Sequence, residues 1–100
     1  MALWVAFFRF RQGAGLGQGM QAFERRKTFQ HPARSTLLGE FWVNAPVGEP
    51  QVVLAWECED EAAGDYYEAA WGDLFDITIA GATKPVTELP EVLPDLKAAT

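Results

Sequence analysis

One hundred residues are enough for one hydrophobic core and too few for two, and a chain that is 49% hydrophobic and 13% aromatic is not intrinsically disordered. A net charge of −6 and a pI near 4.6 repel phosphate backbones and exclude general nucleic-acid binding. The single cysteine, Cys58, allows no internal disulfide and leaves a zinc cluster short of ligands, which suits a reducing, cytoplasmic compartment.

The first segment, Ala2–Phe10, is a short run of aromatic, β-branched and small apolar residues and reads as a strand buried on both sides. It is not read as a signal peptide, because Arg9 and Arg11 follow the apolar run instead of preceding it, and it is too short to span a bilayer. Alternating glycines at 13, 15, 17 and 19 then make a loop. A helix is expected from Gln18 to about Phe29, with Met20, Phe23 and Lys27 on one face and Glu24, Arg25 and Arg26 toward water, stopped by Pro32.

Thr36–Asn44 reads as the second strand, Ala45–Pro50 as a hairpin connection and Gln51–Glu59 as the third strand. Asp60 is placed to cap a second helix that runs through Tyr66, Tyr67 and Trp71 to about Gly72. Phe75–Ala82 alternates and makes the fourth strand, after which Pro85, Pro90 and Pro94 prevent further sheet. The division expected is an α+β domain over residues 1–84 and a proline-containing arm or tail over 85–100.

The order β-α-β-β-α-β is the split βαβ, ferredoxin-like arrangement, a four-stranded antiparallel sheet with two helices on one face. Right-handed crossovers are expected to set the first and third strands at the centre, as parallel neighbours, with the second and fourth at the edges. Trp4, Ala6, Phe8 and Phe10 point opposite to Leu3, Val5 and Phe7, and Val52, Leu54 and Trp56 oppose Val53 and Ala55. Two helices cover only one of these apolar faces. A homodimer through the face without helices is therefore expected. Charge is also uneven, +3 over residues 1–50 and −9 over 51–100, which separates basic and acidic faces and would let a basic first helix meet the acidic second helix of another copy.

Several residues are candidates for chemistry. Glu40 and Trp42 share a face of the second strand, and a carboxylate desolvated there would have its pKa raised and serve as a proton shuttle in an enclosed cavity; the alternative leaves Glu40 wet on an edge strand. Arg9 and Glu57, each at the C-terminal end of a central strand, are placed to pair across the sheet. Trp56, with Trp42, would line a pocket for a small apolar ligand. His31, the only histidine, precedes Pro32 and is expected on the solvent side; with Cys58 it makes no metal set, so no cofactor is expected. The glycine run lacks phosphate-loop spacing, and Arg25, Arg26 and Lys27 read as a solvated helix face.

Leu37-Leu38-Gly39-Glu40-Phe41-Trp42, the third strand ending at Glu57, and Trp71-Gly72-Asp73-Leu74-Phe75-Asp76 before a strand resemble the domain of unknown function 3303 family over residues 2–86. The resemblance implies a small protein of the dimeric α/β-barrel type. It also implies that Glu40 and Trp42 stand where the family has Arg and His, so that a histidine-based reaction would not be repeated here. Three functions follow: a homodimeric α/β-barrel binding or interaction module without catalysis; alternatively, by fold analogy, a cofactor-independent oxygenase or isomerase acting on an apolar or aromatic molecule in a Trp-lined cavity; or a subunit of a larger assembly joined through its acidic helix or tail. Neither nucleic acid nor membrane is an expected partner.

Overall fold

A computed structural model describes residues 2–13, 15–46 and 48–83, and the expected arm at 85–100 lies outside them. The elements are β1 (Ala2–Phe10), α1 (Leu16–Thr28), β2 (Thr36–Trp42), β3 (Val52–Cys58), α2 (Ala62–Trp71) and β4 (Phe75–Ala82). The sheet order is β2-β3-β1-β4. This is the ferredoxin-like topology, with the two most apolar strands at the centre.

Two expectations are corrected by the pairing. All neighbours are antiparallel, β1 with β3 included. The α1 crossover makes β1 and β2 run the same way, and the hairpin then reverses the chain, so the strand inserted between them must oppose both. The sheet is also open, since β2 and β4 are its two margins and do not meet. It is not an α/β barrel.

The period-2 alternation decides which residues are covered. Ala6 and Phe8 of β1, with Val52, Leu54, Trp56 and Cys58 of β3, are buried with Ala22 of α1 and Ala63, Tyr67 and Trp71 of α2 in one core, completed by Leu74 and Phe75. Tyr67, Trp56 and Phe75 are its largest fully buried side chains. The opposite face carries Leu3, Val5, Phe7, Val53 and Ala55, all half-buried, and Phe41, which is 62% exposed.

Helix α1 is turned relative to the expectation. Leu16, Met20 and Phe23 are exposed, whereas Ala22 is buried and Arg25 and Arg26 are half-buried. The inward stripe Gln18, Gly19, Ala22, Arg25, Arg26 and Phe29 has helical spacing but is small and basic instead of apolar. Its arginines are spent inside the chain. Arg25 forms a two-point ion pair with Asp73, at 2.7 and 2.9 Å, and lies 5.4 Å over the Trp71 ring. That leaves little of the basic surface that was to meet another copy's acidic helix. Helix α2 starts one residue beyond the expected cap: Glu61 is the cap residue, while the Asp60 carboxylate still accepts the Ala62 N–H at 2.9 Å.

Candidate functional site

Glu40 is on β2, opposite Leu54 in the pairing, and therefore points to the helix-covered face. Burying a carboxylate requires partners for its charge and its lone pairs. Arg26 supplies two, from Nε at 2.6 Å and Nη2 at 2.7 Å. Trp42, two residues on and on the same face, donates its indole Nε1–H at 2.7 Å. His31 Nε2 lies 3.0 Å away. The Glu40 side chain is 14% exposed, so these bonds carry most of its stabilisation.

His31 extends the cluster, because its Nδ1 is 2.7 Å from the Tyr67 hydroxyl. An ionised carboxylate only accepts, so Nε2 bears the proton toward Glu40, and in the neutral ring Nδ1 then accepts from the Tyr67 hydroxyl. The charges agree with this assignment. The Arg26 hydrogen bonds, aided by Trp42 and His31, hold the Glu40 pKa down at about 2, and burial with the nearby Glu40 charge pushes Tyr67 up to about 12. A raised Glu40 pKa, which desolvation alone would give, is overturned by the paired guanidinium. Nor is the carboxylate wet.

The row Glu40–His31–Tyr67 repeats the order of a carboxylate–imidazole–hydroxyl relay. Its ends are closed, however. Tyr67 is fully buried with its hydroxyl committed to His31, and Glu40 is neutralised by Arg26. The cavity that Glu40 and His31 share with Trp42, Phe29 and Trp71 has a volume of about 10 Å³, room for roughly one water. That volume rules out an enclosed substrate cavity around Glu40 of the kind expected for an oxygenase or isomerase, which needs several hundred Å³. What the cluster does is tie α1, the α1–β2 loop, β2 and α2 together.

The remaining candidates lie elsewhere. Trp56 is in the core, its ring 5.0 Å from Tyr67. Arg9 and Glu57 face the side without helices and cannot pair: Glu57 is opposite Leu3, six residues from Arg9 and so roughly 20 Å from it. Parallel strands would have put them at the same end. Arg26, His31 and Tyr67 were not expected in the cluster. They come from three elements, and only Arg26 four residues beyond Ala22 hinted at an inward basic side chain. Among the described residues no three His, Cys, Asp or Glu side chains gather in a metal-ligating set.

No family model matches this chain. No curated protein sequence matches it either. The resemblance to the domain of unknown function 3303 family is thereby overturned, and its motifs have a local explanation. Trp71, Leu74 and Phe75 are core positions at a helix-to-strand turn, and Glu40 and Trp42 belong to one hydrogen-bonded pair. Such residues report packing, and packing recurs without kinship. No described helix is long and apolar enough to cross a membrane.

Proposed function

We propose that this chain is an interaction module that works through the sheet face bearing no helix, and that a second copy occupies that face. One observation carries the reading: Leu3, Val5, Phe7, Val53, Ala55 and Phe41 form a continuous apolar field across β1, β3 and β2, and no helix among the described residues lies over it. Seven residues along these three strands span on the order of 300 Å² in projection, the size of the largest apolar patch on a typical monomer and often a functional one. Charge at the rim favours a twofold stack. Arg9 and Glu57 lie at opposite ends of the field, so turning one copy over places the Arg9 end of each above the Glu57 end of the other. The pair is two stacked open sheets. Cys58, a single thiol, suits a reducing cytoplasmic setting for it.

A small apolar ligand has its best seat outside this interface, in the open cleft of about 420 Å³ bordered by Phe10, Phe23, Trp42 and Val43. Sedimentation equilibrium tests the pairing. At tens of micromolar the native chain sediments as a dimer, and Val5→Lys, at the centre of the field, converts it to a folded monomer. A native chain that is monomeric at that concentration removes the proposal.

A further inference from the structure

We infer that α2 and the free margin of β4 form a groove that receives an extended, basic segment of a partner protein as an added strand. The margin itself is the first reason. Among the described residues β4 is the last strand of the sheet, runs in unbroken register with β1 over eight residues, and contains no proline, lysine or bulge. Those are the devices that commonly guard an edge. The opposite margin, β2, has such a guard in the irregularity between Leu37 and Gly39.

The second reason is charge. Glu61, Asp65 and Glu68 are spaced i, i+4, i+7 and share one stripe of α2. None of these side chains has an ion-pair or hydrogen-bond partner among the described residues. They border a cavity of about 200 Å³ whose other walls include Trp4, Trp56 and Ile79. A second cavity, of about 390 Å³, continues past Glu68 along Phe75 and Ile77 of β4. Glu68 borders both, so the two cavities flank it on the β4 side of α2. Arg11 at the far end brings no free positive charge, since it is paired with Asp76 at 2.9 Å.

The third reason lies at the deep end. Gly81 is opposite Trp4, and a Cβ built on it would meet nothing within 4 Å, so the missing side chain leaves space beside the indole. Trp4 and Trp56 are cross-strand partners, and the indole N–H of each is buried without an acceptor. Trp56 is only 1% exposed. Both donors lie inward of β4, on β1 and β3, so an added strand leaves them as they are and takes up only the space over Gly81.

Spacing selects the partner's pattern. Side chains on one side of a strand recur every 6.7 Å or so, and carboxylates four residues apart on a helix are separated by about 6 Å. Lys or Arg at alternate positions therefore meets successive carboxylates, while the intervening residues fall on the other face beside Thr78 and Ala80, where a β-branched apolar residue fits. This chain's own residues 85–100 do not fit that pattern, having three prolines and three carboxylates against one lysine.

Fluorescence anisotropy with a labelled peptide Ser-Lys-Val-Arg-Val-Lys-Ser and the full chain tests the inference. Binding is expected to saturate and to weaken about tenfold between 50 and 300 mM NaCl. The Asp65→Asn/Glu68→Gln double variant and, separately, Gly81→Val should each weaken it about tenfold, with thermal melts confirming that both fold. Methylating alternate peptide nitrogens should abolish it, because strand addition needs those N–H groups. Absence of saturation at millimolar peptide overturns the inference, as does binding that survives the double variant or the methylation, or that spermine matches. Val5→Lys should bind the peptide normally, which separates failure here from failure of the paired-sheet reading.

Discussion

Phe7 and Phe8 are consecutive on β1 and meet different surroundings. Phe8 is 2% exposed and makes edge-on contacts with Tyr67 and Phe75 at 6.4 and 5.5 Å, whereas Phe7 projects from the other face between Val53 and Thr78. The same contrast runs across the sheet. Trp56 and Leu54 lie under helices, and Ala55 and Val53 beside them do not. Apolar composition alone therefore does not distinguish a core from a docking surface. Helix cover does, and the two helices among the described residues both lie on one face.

Truncation at the two phenylalanines breaks or sharpens that comparison most directly. Phe8→Ala should destabilise by about 3–5 kcal/mol, from lost transfer energy plus a cavity the aromatic neighbours cannot close. Phe7→Ala, measured by urea denaturation in dilute solution, should cost roughly 1 kcal/mol. Equal costs at nanomolar concentration would mean that the field around Phe7 is already covered within one chain.

The next largest effect concerns the polar cluster on the covered face. Glu40→Leu removes the acceptor of Arg26, Trp42 and His31 together and should cost about 2–3 kcal/mol. Adding Arg26→Met to that variant should recover part of the loss, because no guanidinium is then left half-buried without its counter-charge. Strict additivity of the two changes in a double-mutant cycle would show that the pair contributes nothing.

The same cluster should set both pH limits of stability. Glu40 has its pKa lowered from 4.5 to about 2, so its contribution is fully present above 4.5 and is lost as pH falls toward 2. Tyr67 is raised from 10 to about 12, so its contribution is present below pH 10 and is lost as pH rises toward 12. Denaturation at pH 6, 4 and 3 should show stability falling with acid in the native chain and a flatter profile in Glu40→Gln. Parallel profiles would place the acid sensitivity at other carboxylates.

Strands, their order and the two apolar faces were legible in the sequence because a period of two is a local signal that β1, β3 and β4 carry plainly. Strand direction across β1 and β3 was misjudged, and the supposed Arg9–Glu57 pair fell with it. The inward face of α1 was illegible for a different reason. Its buried side is built from Gly19, Ala22 and Arg26, and the reason an arginine belongs there is Glu40, fourteen residues on. His31 and Tyr67 are thirty-six residues apart, and no local pattern marks a pair that only the packed fold creates.

Helix α1 supplies the smallest and most discriminating test. Leu16, Met20 and Phe23 look like a core stripe by spacing but face outward, Met20 being 60% exposed. Lysine has nearly the helix propensity of methionine, so Met20→Lys should change stability by no more than about 0.5 kcal/mol and leave the sedimentation of the chain unaltered. Phe23 differs, since it stacks on Trp42 at 5.5 Å, and Phe23→Ala should cost somewhat more, about 1 kcal/mol. If Met20→Lys instead dissolves the dimer while Val5→Lys does not, the second copy sits on α1, and the bare sheet face must be covered in some other way.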